Sequence, residues 1–200
     1  MSIAASQTDL PLILGLTNTL GPHRAADYWK LPEGEPVELI QGEYVVSPAP
    51  NYTHQAISLC LSQLLHQWTK KSRGRGAAAP IDVVLSDSTI LQPDLVYVSS
   101  DRRSIVQERV EGAPNLVIEI ISKSHAARDR VQKLGLYAQH GVPEYWIVDP
   151  AERTVEFLLL EGDRYKIEPL TSETYTSPRL PEVSVNLREL WADVERLVNG

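Results

Sequence analysis

The chain has one cysteine, Cys60, in 200 residues. No intramolecular disulfide can form, so a reducing, cytoplasmic setting is expected. Cys60 falls in an apolar helical stripe and reads as a small core residue rather than a nucleophile. No stretch approaches the roughly 20 apolar residues a membrane helix needs. The run "LPLILGL" at 10–16 is short, carries Pro11 and Gly15, and follows no basic residue, so it does not read as a signal peptide. Excess positive charge is also lacking: the formal net charge is −7, which excludes a protein that coats nucleic acid by charge alone. The positive charge that exists is clumped, in "KKSRGR" at 70–75, "DRR" at 101–103 and "RDRVQK" at 128–133.

What is present is an ordinary globular composition, 42% apolar and 22% charged. The length fits one domain over 24–200 after an N-terminal arm over 1–23. "AADYWKLPEG" at 25–34 predicts a short helix ended by Pro32 and Gly34. "VELIQGEYVVS" at 37–47 predicts a hairpin about "QG". Ile57, Cys60, Leu61, Leu64, Leu65 and Trp68 recur at helical spacing, which predicts an amphipathic helix over 52–70 capped by Asn51. "RGRGAAAP" at 73–80 then reads as a loop. Strands are expected at 81–86, 90–100 and 116–122. A helix is expected at 125–141, with Val131, Leu134 and Ala138 on its core side and Gly141 as its stop. "PEYWIVDP" is nearly all apolar and should be a central strand. A hairpin about "EGD" and a helix from about Leu187 complete a mixed α/β chain around one central sheet.

One carboxylate stands out. In "LVIEII" at 116–121, Glu119 lies among branched apolar residues. An ionised group there costs several kcal/mol unless it is paired or bound to a metal. Asp94, in "LQPDLVYV", follows a proline that suits a strand start. If the two strands pair, Asp94 and Glu119 converge, because neighbouring strands lie about 4.8 Å apart. Two hard oxygen ligands at a strand end suit Mg²⁺ or Mn²⁺. Asp129, Lys133 and Tyr137 share one helical stripe offset from the expected core side. Spacing alone favours a surface Asp129–Lys133 pair there.

"QPD" at 92–94, "VIEIIS" at 117–122, "RDRVQKLGLY" at 128–137 and "GVPEYWIVDP" at 141–150 resemble the Uma-two family of endonucleases, within the PD-(D/E)XK superfamily. "ELIQGE" at 38–43 and "SPAPNYTH" at 47–54 fit the same pattern, so the resemblance covers about residues 25–170. It implies a restriction-endonuclease-like fold with a central mixed sheet flanked by helices. It also implies Mg²⁺- or Mn²⁺-dependent hydrolysis of phosphodiester bonds in DNA, by a homodimer. Asp94 and Glu119 would be the metal ligands. The superfamily lysine two residues after the glutamate is replaced by Ile121, and the resemblance points instead to Lys133 on the following helix. Lys123, where the family has proline, is a rival, but an extended chain puts it about 13 Å beyond Glu119. Glu38 matches an auxiliary acidic residue and His54 a family histidine. Tyr137 would contact Lys133 or a phosphate, or simply pack. Arg73, Arg75, Arg128 and Arg130 would carry the nucleic-acid backbone. Two other readings stand: a nucleic-acid-binding module that has lost turnover, and a structural protein in which Glu119 merely pairs with Lys133.

Overall fold

The computed structural model describes residues 20–121 and 126–200, with the backbone alone for 126–130. Expectations for residues 1–19 and for Lys123, and for the side chains of Arg128, Asp129 and Arg130, lie outside the described residues. Residues 20–23 run against the first hairpin, where Gly21 and His23 donate backbone hydrogen bonds to Gln41 and Gly42.

The centre is a mixed six-stranded sheet in the order β11-β10-β9-β8-β6-β3. Its strands are β3 (Arg75–Ala78), β6 (Leu95–Val98), β8 (Leu116–Ile120), β9 (Glu144–Asp149), β10 (Thr154–Glu161) and β11 (Arg164–Ile167). β8 and β9 are parallel, joined by α3 (Ala126–Gln139), while the other neighbours are antiparallel. β8 is buried along its whole length and β9 along all but its last residue, as their apolar sequences require.

The hairpin at 37–46 is present, but it belongs to a second sheet, in the order β2-β1-β5-β4-β7. That sheet comprises β1 (Val37–Ile40), β2 (Glu43–Val46), β4 (Val83–Ser86), β5 (Thr89–Leu91) and β7 (Val110–Glu111). Gln41 and Gly42, both at positive φ, form the two-residue turn that closes β1 on β2. The strand expected at 90–100 is therefore two strands. β5 stays in the second sheet, the chain crosses at Gln92–Asp94, and β6 enters the central one. Pro93 has no N–H to give a ladder, so the crossing falls where pairing could not continue.

α2 (Tyr52–Ser72) and α4 (Leu187–Asn199) cover one face of the central sheet. Ile57, Leu61, Leu65 and Trp68 pack there with Leu116, Ile118, Trp146 and Trp191. The other face meets α3 and the second sheet, through Val117, Tyr145, Ile147, Leu136, Ile40, Val83 and Leu91. α1 (Ala25–Tyr28) closes the far side of the second sheet, with Tyr28 against Leu39 and Ile90.

Two further expectations are corrected. The "RGRGAAAP" stretch holds edge strand β3 rather than a loop alone. Its glycines and alanines have weak strand propensity, but they let α2 lie close: a Cβ on Gly76 would come within 2.6 Å of Leu65. The core side of α3 is also not the one the apolar spacing indicates. Val131 is exposed and Leu134 is only partly buried, whereas Lys133, Leu136 and Tyr137 turn inward with Ala138.

A short ribbon, β12 (Thr174–Thr176) with β13 (Ser184–Asn186), was not expected from the sequence. It is drawn in by Glu144, which is fully buried and accepts hydrogen bonds from Trp146 Nε1 (2.7 Å), Tyr175 Oη (3.0 Å) and Ser177 Oγ. Trp146 in turn packs edge-on against Trp68, Phe157 and Tyr175. Trp146→Ala should therefore cost about 3–5 kcal/mol in urea unfolding. Ile167→Ala, at a 65% exposed position, should stay within about 0.5 kcal/mol of wild type.

Candidate active site

Pairing of β6 with β8 sets Leu95 opposite Ile118. One residue further along each strand, Asp94 meets the Glu119 end of β8, and its Oδ2 accepts the Ile120 backbone N–H at 2.7 Å. Alternation along β8 turns Leu116, Ile118 and Ile120 toward α2 and α4, and Val117 and Glu119 toward α3. Glu119 therefore faces the helix that carries Lys133 and Tyr137.

Lys133 Nζ lies 3.0 Å from Glu119 Oε1 and 3.0 Å from Glu38 Oε1. Tyr137 Oη donates to the same Glu119 oxygen at 2.7 Å. Glu38 reaches the site because β1 puts Glu38 and Ile40 on its inner face and Leu39 on its outer one. Glu38 and Lys133 are both buried, so neither the solvent-facing strand residue nor the surface Asp129–Lys133 pair describes them. The Gln92 backbone N–H also donates to Glu38 Oε1, at 2.7 Å. On the other side of Asp94, His54 Nε2 stands 3.2 Å from Oδ1. His54 is placed there by the first turn of α2, where Asn51 accepts its backbone N–H at 2.9 Å.

The structure thus brings together Asp94, Glu119, Lys133, Glu38, His54 and Tyr137. It does not bring in Arg73 or Arg75. At 1.5 Å rise per residue, Arg73 lies about 28 Å along α2 from His54. Arg75 pairs with Val98, at the far end of β6 from Asp94.

Three further residues support the site without any mark in the sequence beyond the closeness of Gln92 to Asp94. Asp82 Oδ1 accepts from Tyr28 Oη (2.8 Å) and from Gln92 Nε2 (3.0 Å). This tie fixes the crossing that carries both Gln92 and Asp94.

The electrostatics are unbalanced. Three carboxylates face one certain cation. Burial pushes the Glu119 pKa up to about 7, against the pull of Lys133, with the charges of Asp94 and Glu38 adding to the rise. Burial disfavours the Lys133 ammonium, but Glu119 and Glu38 outweigh it and hold its pKa well above the ordinary value. Burial likewise lowers the affinity of His54 for a proton, and Asp94 more than reverses that, so its pKa is raised. Burial keeps Tyr137 a neutral donor.

The cluster opens into a cleft of about 630 Å³, lined by His54, Gln92, Asp94, Glu119, Lys133 and Tyr145, with Pro48, Pro50, Pro80 and Pro150 on its walls. Among the described residues no set of three or more His, Cys, Asp and Glu side chains could hold an ion. Asp94 and Glu119 are nevertheless the kind of donor set Mg²⁺ takes, since that ion commonly binds one or two carboxylates and fills its octahedron with water and phosphate oxygen. The surplus of negative charge fits the same ion.

The Uma2 family, described as "Putative restriction endonuclease", matches residues 25–194. The chain belongs to the Uma2 family. No curated protein matches it. One similar solved structure is described as "a putative nuclease belonging to DUF820 from Anabaena variabilis ATCC 29413". It is 20% identical, with a TM-score of 0.72, and the match covers 86% of this chain and 99% of that one. That likeness shows that this Uma2 chain has the nuclease-like fold, a central mixed sheet flanked by helices. No helix of the described residues is long and apolar enough to cross a membrane.

The raised pKa of Glu119 has a consequence for stability. A carboxylate whose folded pKa exceeds its unfolded value stabilises the fold fully below about pH 4.5. That contribution is lost as pH rises through about 7. In chelator, wild type should lose stability relative to Glu119→Gln across that window, by at most about 1.4 kcal/mol per pH unit, and run parallel to it above about pH 8. Urea midpoints at pH 5, 6, 7 and 8 check this, and parallel curves throughout would contradict it.

Proposed function

We propose that this protein is a Mg²⁺- or Mn²⁺-dependent endonuclease that hydrolyses phosphodiester bonds in DNA. The observation that carries the reading is the convergence of Asp94 and Glu119 at the ends of paired strands, with Lys133 held 3.0 Å from Glu119. Membership of a family described as "Putative restriction endonuclease" supports it.

Asp94 and Glu119 are the residues that would hold the ion. When bound, it supplies positive charge against the phosphate and lowers the pKa of an attacking water. Lys133 stays cationic because both its carboxylate partners favour the ammonium, so it acts as a charge and donor toward a phosphate oxygen and not as a base. Glu38 fixes that ammonium from the second sheet. Tyr137 and Lys133 both occupy Glu119 Oε1, which leaves Oε2 as the oxygen for the cleft. His54 restrains Asp94 from the helix side, as the Ile120 amide does from the strand side. Cutting both strands of a duplex with one such site per chain suits two copies about a two-fold axis, so a homodimer belongs to the proposal.

Nicking of supercoiled plasmid tests it. Wild type should cut in Mg²⁺ or Mn²⁺ and not in EDTA. Asp94→Asn and Lys133→Gln, confirmed folded, should each lose at least about 100-fold in rate. Tight DNA binding without cutting by wild type would favour the binding module, and undiminished cutting by Asp94→Asn would contradict the assignment.

A further inference from the structure

We propose that the end of the molecule opposite the cleft carries a second nucleic-acid contact, a phosphate-backbone exosite made by Lys70, Lys71, Arg73, Arg75, Arg102 and Arg103. The inference rests on the nuclease reading above and adds a surface that the site itself lacks.

Three segments meet at that end. α2 finishes with Lys70 and Lys71, and Arg73 caps it in the left-handed region. Arg75 opens β3 opposite Val98, the last residue of β6. A 3-10 turn, Ser100–Ile105, follows and carries Arg102 and Arg103. Tyr97 Oη binds Ser72 Oγ at 2.7 Å and fastens the end of α2 to the end of β6.

The pairing of charge differs sharply between this end and the rest of the surface. Elsewhere the exposed cations have acidic partners: Arg24 with Asp87, Lys30 with Asp27, Arg109 with Glu111, Arg153 with Glu195, Arg164 with Asp163, Lys166 with Glu161, Arg188 with Glu173 and Arg196 with Asp193. Arg179 instead bonds the carbonyls of Pro143 and Leu160. None of the six distal cations makes an ion pair among the described residues. The acids beside them are engaged by hydroxyls, Asp101 by Ser99 and Glu182 by Tyr97. Favourable interaction with the helix dipole accounts for Lys70 and Lys71 alone.

The cleft explains why the distal charge matters. Among the described residues Lys133 is the one Lys or Arg lining the cleft, beside Asp94, Glu119 and the buried Glu38. The carboxylates described there repel a polyanion that approaches without metal, so cations placed elsewhere on this acidic chain would add backbone affinity. The separation of about 28 Å along α2 corresponds to about eight base pairs of duplex. Substrates shorter than that cannot reach both places.

Fluorescence anisotropy with labelled DNA hairpins of 6-bp and 16-bp stems, in Ca²⁺ so that a hard divalent cation loads the cleft, and with uncut DNA confirmed by gel, tests the exosite on the full chain. Wild type should bind the long stem at least tenfold more tightly than the short one. The variant Lys70→Gln/Lys71→Gln/Arg73→Gln/Arg75→Gln should lose that gain, and its log–log salt slope should fall by about 3. Arg102→Gln/Arg103→Gln, on a separate segment, should show the same trend, which guards against a folding defect in the first variant. Long-stem binding and salt slope unchanged in both variants would overturn the exosite, as would a wild type indifferent to stem length. Plasmid nicking on the same samples separates the two ideas. Nicking by wild type with patch-independent binding overturns the exosite alone. Patch-dependent binding without nicking retains the exosite and overturns the nuclease.

Discussion

One ammonium group joins three parts of the molecule that share no hydrogen-bonded strand. Lys133 comes from α3, Glu119 from the central sheet and Glu38 from the second sheet, and the two carboxylates meet the lysine at 3.0 Å each. Replacing such a buried pair with apolar groups is often neutral or stabilising, so stability is a poor reason for it to be there. Its effect is geometric. The lysine fixes how α3 and the second sheet dock on the central one, and it sets the orientation of Glu119 at the mouth of the cleft.

The arrangement also leaves charge unsatisfied. Asp94 adds a third carboxylate, whose known partners are the Ile120 amide and His54. Burial is the main cause of the rise in the Glu119 pKa, and the charges of Asp94 and Glu38 add to it against the pull of Lys133. A divalent cation held by Asp94 and Glu119 would offset the crowded negative charge. The fold divides its work by position along β6. Asp94 marks the end at the cleft, and cations without an acidic partner among the described residues gather at the Val98 end.

Much of this was legible in the sequence, for physical reasons. The alternation around Glu119, the helical stripe of α2 and the Gln41–Gly42 turn each follow from local periodicity or backbone preference, and each element formed where expected. Other features depend on packing that no local pattern records. The apolar spacing of α3 pointed to Val131 as a core residue because hydrophobicity cannot register a buried face built from Lys133 and Tyr137. β3 escaped notice because its glycines and alanines have weak strand propensity, and the close approach of Leu65 to Gly76 leaves no local pattern. The second sheet was hidden because one apolar run, 90–100, serves two sheets. The tie of Tyr28, Asp82 and Gln92 spans more than fifty residues of chain and has no local signature.

The central claim is that Glu119 and Asp94 hold a divalent cation. Isothermal titration of Mn²⁺ into chelator-stripped protein at pH 7.5, wild type beside Glu119→Gln, tests it most directly. The account predicts saturable binding to wild type, near one ion per chain or more, and its loss in the variant while the fold is retained. Absent binding in wild type, or equal binding in Glu119→Gln, would contradict it and return Glu119 to the role of a buried carboxylate paired with a lysine.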